Sequence, residues 1–167
     1  QVSAYLLKPF DAVKVLANLR PLLATAGADP LLATHNLLGR TALIVDDSEV
    51  DRLALRDILH HDLHWETVEA RHGEEALERL HGGLRPDLVF LDLRMPGIGG
   101  LALLQRVRDD PDLRRLKVII LSGEHDREQV LALARLQISG YLLKPVATAK
   151  VRAALTQALG PAAVVPK

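Results

Sequence analysis

The sequence predicts an α/β fold built on a parallel sheet, and three observations carry that expectation. From Thr41 onward, short apolar runs alternate with segments of helical spacing. The alternation completes five strand–helix units, a pattern that places a parallel sheet between two helical layers. The polar residues with chemical potential fall just after the apolar runs, at the carboxyl ends of the expected strands, where such sheets bind ligands.

Thr41–Val45 is a short apolar run that reads as a buried strand. In Glu49–His60, Val50, Leu53, Ala54, Asp57 and Ile58 recur at helical spacing. Trp65–Ala70 alternates in polarity and suits an outer strand, and Glu74–Leu80 follows as a short helix opened by Gly73-Glu74-Glu75. Leu88–Leu91 is a buried strand, Leu101–Arg108 a helix and Lys117–Leu121 a buried strand. Asp126–Leu136 reads as a helix, Tyr141–Leu143 as a strand and Thr148–Leu159 as the last helix. Right-handed crossovers leave few topologies for such a chain.

The first 39 residues stand outside this alternation. Gln1-Val2-Ser3-Ala4-Tyr5-Leu6-Leu7-Lys8-Pro9 returns as Gln137-Ile138-Ser139-Gly140-Tyr141-Leu142-Leu143-Lys144-Pro145, identical at seven of nine positions. Lys14/Lys150, Val15/Val151, Ala17/Ala153 and Leu19/Leu155 extend the match. Residues 1–25 therefore read as the last strand and helix of a preceding copy. Residues 26–39 read as a linker in which Asp29-Pro30 can open a short helix and Gly39 close it. Residues 40–160 form the complete domain, and 161–167 a tail. The orphan strand Tyr5–Leu7 has no sheet of its own here, and addition to a neighbouring edge would promote a homodimer.

Composition excludes several functions. Lys plus Arg equals Asp plus Glu, at 21 each, so no net field favours nucleic acid or an anionic membrane. With no cysteine there is no disulfide framework, thiolate metal site or cysteine nucleophile. No apolar run reaches the roughly 20 residues of a membrane span. The chain starts at Gln1 and shows no signal peptide, so it reads as a cytoplasmic piece of something longer.

The strand ends gather Asp46-Asp47, Asp92, Ser122 and Lys144-Pro145 on one rim. Three clustered carboxylates repel one another and call for a cation. Oxygen-only ligation favours a hard ion, with Mg²⁺ usual beside phosphate. Lys144 offers a point charge for an anionic substituent and Ser122 a hydrogen bond. These are the parts of phosphoryl transfer: a carboxylate nucleophile, a metal and donors for the equatorial oxygens.

Val45-Asp46-Asp47, Asp87-Leu88-Val89-Phe90-Leu91-Asp92-Leu93-Arg94-Met95-Pro96-Gly97, Leu121-Ser122-Gly123 and Tyr141-Leu142-Leu143-Lys144-Pro145 together resemble the receiver domain of bacterial response regulators. The resemblance spans about residues 40–160, and residues 1–25 resemble the end of a second, tandem receiver. It implies a flavodoxin-like doubly wound sheet of order 2-1-3-4-5. It implies that Asp92 accepts phosphate from a histidine kinase or histidine phosphotransfer protein of a two-component phosphorelay. Asp47, Asp92 and the Arg94 backbone carbonyl would bind Mg²⁺ directly, and Asp46 through a metal-bound water. Ser122 would move toward the phosphoryl group, Lys144 would pair with it, and Tyr141 would turn inward as the switch. The Lys144–Pro145 bond would be cis. Such a domain acts on an output domain or effector outside this chain and is not a metabolic enzyme. Gln137-Ile138 departs from the Gly-Ala common in the family, and the long side chains of Arg94 and Glu124 are expected to restrict the water that hydrolyses an aspartyl phosphate.

Other residues read more plainly. His60, His61 and His64 lie at a helix end, where basic groups are favourable, and are not expected to bind metal. Asp109, Asp110 and Asp112 interrupt the basic stretch Arg106, Arg108, Arg114, Arg115 and Lys117, which reads as a solvated surface rather than a nucleic-acid patch. A pseudo-receiver serving only as a binding module is the alternative function. A phosphatase with an aspartyl nucleophile would need a substrate cap, for which the short loops leave no room.

Overall fold

Five strands set the architecture: β1 (Thr41–Val45), β2 (Glu66–Ala70), β3 (Leu88–Asp92), β4 (Val118–Ser122) and β5 (Gly140–Leu143). The computed structural model describes residues 39–123, 133 and 135–164. The repeated fragment 1–25, the linker up to residue 38, Glu124, most of the helix expected over Asp126–Leu136 and the tail from residue 165 lie outside the described residues. The described residues from Arg40 onward belong to one compact unit.

The sheet is wholly parallel, in the order β2-β1-β3-β4-β5. β3 and β4 lie inside it and are buried along their whole length, which is why Leu88–Leu91 and Val118–Leu121 are unbroken apolar runs. Alternation sorts their side chains to the two faces. Leu43, Val45, Val89, Leu91, Val118 and Ile120 join one core layer; Ala42, Ile44, Leu88, Phe90, Ile119 and Leu121 join the other. The parallel register brings Val45 beside Leu91, Asp92 beside Leu121 and Ser122 beside Leu143, so all these strands end on one rim.

Four helices are described: α1 (Glu49–Asp57), α2 (Gly73–His81), α3 (Gly100–Asp109) and α4 (Thr148–Leu159). Ser48 caps α1, its hydroxyl accepting from the Asp51 amide at 3.3 Å, and Glu49 and Asp51 favour the positive end of the dipole. The helical spacing predicted α1 to His60. The structure instead widens the last turn, Ile58–Asp62, into a π-helical turn. That turn carries Leu59, fully buried, into the core layer it shares with Leu63 and Trp65. Trp65 then precedes β2 rather than opening it. Its amide donates to the Leu59 carbonyl at 2.9 Å, and its indole Nε1 to the Ala163 carbonyl at 2.9 Å. His72 caps α2, with Nδ1 accepting from the Glu75 amide at 3.2 Å and Glu75 accepting from the Arg71 amide at 2.8 Å. No described helix is long and apolar enough to cross a membrane.

α3 begins one residue earlier than expected, at Gly100, and this start is imposed by the site. A Cβ on Gly100 would sit 2.1 Å from the Asp92 carbonyl oxygen and 2.8 Å from the Leu93 Cα. The Gly100 amide donates to the Leu93 carbonyl at 3.1 Å. Only glycine lets a helix start so close to the end of β3. Gly100→Ala is expected to destabilise the domain by roughly 1–3 kcal/mol, the range for overpacking. Urea unfolding followed by Trp65, the single tryptophan, measures it; an unchanged midpoint would refute the steric account.

Candidate functional site

The rim residues are placed by strand ends and anchored by backbone contacts. Asp46 follows β1 and is fully buried. Its amide donates to the Ala70 carbonyl at 3.1 Å, and its carbonyl accepts from Arg52 Nη1 at 2.8 Å. Arg52 is itself buried and pairs with Glu69 at 3.1 Å. Asp92 ends β3 with only 4% of its surface exposed, and its Oδ2 accepts from the Arg94 amide at 3.0 Å. Asp47 is exposed, as is the Arg94 side chain.

Lys144, just after β5, joins these groups. Its Nζ lies 2.7 Å from Asp46 Oδ2, 3.0 Å from Asp92 Oδ1 and 3.1 Å from Asp51 Oδ2. The Lys144–Pro145 bond is cis, and the Lys144 amide donates to the Ser122 carbonyl at 2.8 Å, tying the lysine to the end of β4. Lys144 Nζ is thus the close cationic partner of the buried Asp46 Oδ2.

Burial shapes the charges here. Desolvation raises the Asp46 carboxyl above its ordinary pKa, although Lys144 and the Ser48 amide pull it back. Asp92 is also raised, by burial and by the neighbouring Asp46, with Lys144 opposing. For Lys144, burial disfavours the charge, but Asp46 and Asp92 more than reverse this, and its pKa is raised. One ammonium thus faces several carboxylates, and the cluster retains excess negative charge.

Ser122 is fully buried at the end of β4. Its hydroxyl donates to the Gly123 carbonyl at 2.9 Å and accepts from the Tyr141 hydroxyl at 2.6 Å. The serine and tyrosine singled out in the sequence are therefore in direct contact across β4 and β5.

Asp46, Asp47 and Asp92 each offer a carboxylate oxygen, and these atoms lie within 4.8 Å of one another, the only such acid or histidine cluster among the described residues. An all-oxygen set with excess negative charge fits a hard divalent cation. Sequence reasoning missed two contributors. Asp51 lies in the first turn of α1, from where its Oδ2 reaches Lys144 Nζ at 3.1 Å. Arg52 carried no signal, because its role is to hold a backbone carbonyl and a carboxylate on the neighbouring strand.

A doubly wound sheet with acids and a lysine at its carboxyl rim defines a receiver-type signalling module. Residues 42–156 match the response regulator receiver domain, and the chain belongs to that family. It is similar to the chemotaxis protein CheY of Pseudomonas aeruginosa, 38% identical over 103 residues that cover 62% of this chain and 82% of that protein. Its fold is similar to the crystal structure of a response regulator receiver protein from Pseudomonas putida, with TM-score 0.66 and 33% identity over 71% of this chain and 97% of that one. It is also similar to the Mn²⁺-bound form of the response regulator Rcp1, with TM-score 0.62 and 26% identity over 70% of this chain and 92% of that one. Receiver domains are signalling domains that bind Mg²⁺ at an acidic pocket and interact with histidine kinases and output effectors.

Proposed function

We propose that this chain is a working receiver that accepts a phosphoryl group on Asp92 in a Mg²⁺-dependent reaction and thereby switches an output partner. The observation that carries the reading is the single ammonium of Lys144 held within 3.0 Å of both Asp46 and Asp92, with Asp47 beside them. A carboxylate oxygen of Asp92 forms the new O–P bond while the donor's phosphohistidine N–P bond breaks. The leaving imidazole carries the electron pair and is protonated in the partner. The Arg94 amide and Lys144 orient Asp92 and keep it anionic for attack. Asp47, Asp92 and the Arg94 carbonyl would hold Mg²⁺, with Asp46 acting through a metal-bound water. The ion supplies charge neutralisation between the acidic cluster and the incoming phosphoryl oxygens. A phosphoryl group on Asp92 gives Lys144 and Ser122 a new anionic partner. Ser122 then leaves its hydrogen bond with Tyr141, and this changes the β4–β5 surface that a partner reads.

The test incubates the protein with Mg²⁺ and a small-molecule phosphodonor and weighs it beside Asp92→Asn. Gain of one phosphoryl group in the wild type alone supports the reading. No gain in folded protein, with excess Mg²⁺ and also with a phosphohistidine donor protein, would favour the pseudo-receiver.

A further inference from the structure

We propose a second site on the opposite rim of the sheet, which binds a compact, multiply charged phosphate compound of the pyrophosphate type. Two adjoining open clefts of about 400 and about 550 Å³ share Arg108, Arg114, Arg115 and Gln137. Arg135 lines one and Lys117 the other. Lys117 precedes β4 and Gln137 precedes β5, so the clefts lie at the amino ends of parallel strands whose carboxyl ends carry Asp92 and Lys144.

The sequence interleaves acids with these cations, but the structure separates them. Asp110 is engaged in its own turn, with Oδ1 accepting from the Asp112 amide at 2.8 Å, and its Oδ2 lies 3.2 Å from His81 Nε2. Among the described residues, no carboxylate lines either cleft. Among the described residues, Arg114, Arg115, Lys117 and Arg135 have exposed side chains, and none forms an ion pair.

Arg108 is the second, independent observation. It is half-buried, and its guanidinium donates to four carbonyls: Leu136 at 2.8 Å, Leu116 at 3.0 Å, Arg114 at 3.1 Å and Gln137 at 3.2 Å. These bonds join the turn before β4 to the turn before β5, so the cleft is preformed. They use four of the five guanidinium N–H donors and leave the cation, among the described residues, without a carboxylate counter-ion, in surroundings that disfavour its charge. A half-buried cation with no carboxylate partner, ringed by other unpaired cations, is completed by an anion. The clefts have the size of small-ligand sites. Among the described residues they show no aromatic platform of the kind that holds single-stranded nucleic acid, and the chain has no net positive charge, so clustered phosphates are favoured over a polynucleotide.

Isothermal titration of the full chain with inorganic pyrophosphate, without divalent cations, tests this. Saturable one-to-one binding is expected. It should weaken about tenfold or more in Arg114→Gln/Arg115→Gln, as loss of charge-assisted hydrogen bonds would cause, and weaken likewise in Lys117→Gln. Asp92→Asn should bind as the wild type does. Absence of saturable binding at millimolar pyrophosphate would overturn the proposal. So would equal affinity in all the folded cleft variants, loss of binding in Asp92→Asn, or tighter binding of a single-stranded oligonucleotide.

Discussion

Lys144→Ala is expected to slow phosphoryl uptake by Asp92 roughly 10²-fold, the cost of removing one preorganised stabiliser of developing charge. Two effects compete in this variant. The ammonium that would face the transferring phosphoryl group is lost, which slows the reaction. Asp46 and Asp92 are also released from their ion pairs at 2.7 and 3.0 Å, which leaves them more negative and strengthens their hold on Mg²⁺. The second effect speeds uptake only while Mg²⁺ is limiting. At saturating Mg²⁺ the first should stand alone, so the rate must be read there, by intact mass after addition of a small-molecule phosphodonor. Lys144→Arg should recover little, because a broad planar guanidinium cannot occupy the point where three carboxylates converge on one Nζ. A wild-type rate for Lys144→Ala at saturating Mg²⁺ would remove Lys144 from the chemistry.

Much of this site was legible because it depends on strand ends. A strand buried on both faces must be apolar throughout, so the first polar residue marks the rim. Asp46, Asp92, Ser122 and Lys144 were found in that way. The same logic gave the five strands and, through the family resemblance, their order. It failed where a position is set by backbone geometry. Hydrophobic spacing cannot register a single widened turn, so the π-helical turn at Ile58–Asp62 was hidden, and Trp65 was assigned to the strand it only precedes. The close approach of Gly100 to Asp92 left no trace beyond a run of glycines, which also suits an ordinary loop. Asp51 was passed over because an acid in the first turn of a helix is commonplace; its contact with Lys144 depends on how α1 is set against β5. The interleaved acids and arginines near β4 read as a mixed surface because sequence order says nothing about which side of a turn each faces.

The acidic cluster should destabilise the metal-free fold at neutral pH, and Asp92→Asn should relieve part of that cost. Asp92 faces Asp46 and Lys144 directly, with Asp47 nearby and Asp51 across the same ammonium. Burial and Asp46 raise its folded-state pKa above the ordinary 3.8. A raised carboxyl pKa means that the native state holds the proton more tightly than the unfolded chain does. Stability from this group therefore falls as pH rises from 3.8 through the raised value and stays low above it. Asp46 behaves in the same way. Lys144 opposes them, because its raised pKa contributes stability that is present at neutral pH and lost only above its ordinary value of 10.5. With one cation against four acids, the carboxylate cost should dominate at pH 7. Metal-free Asp92→Asn is then expected to melt at a higher temperature than the wild type at pH 7, with the gap closing as pH falls toward 4. Mg²⁺ at about 100 times its dissociation constant should stabilise the wild type by roughly 2.7 kcal/mol and Asp92→Asn by less, since a ligand has been removed. Thermal melts followed by Trp65 fluorescence measure all of these quantities. A lower midpoint for metal-free Asp92→Asn at pH 7 would show that the hydrogen bond from the Arg94 amide and the ion pair with Lys144 outweigh the repulsion, and that the carboxylate stabilises the apo fold.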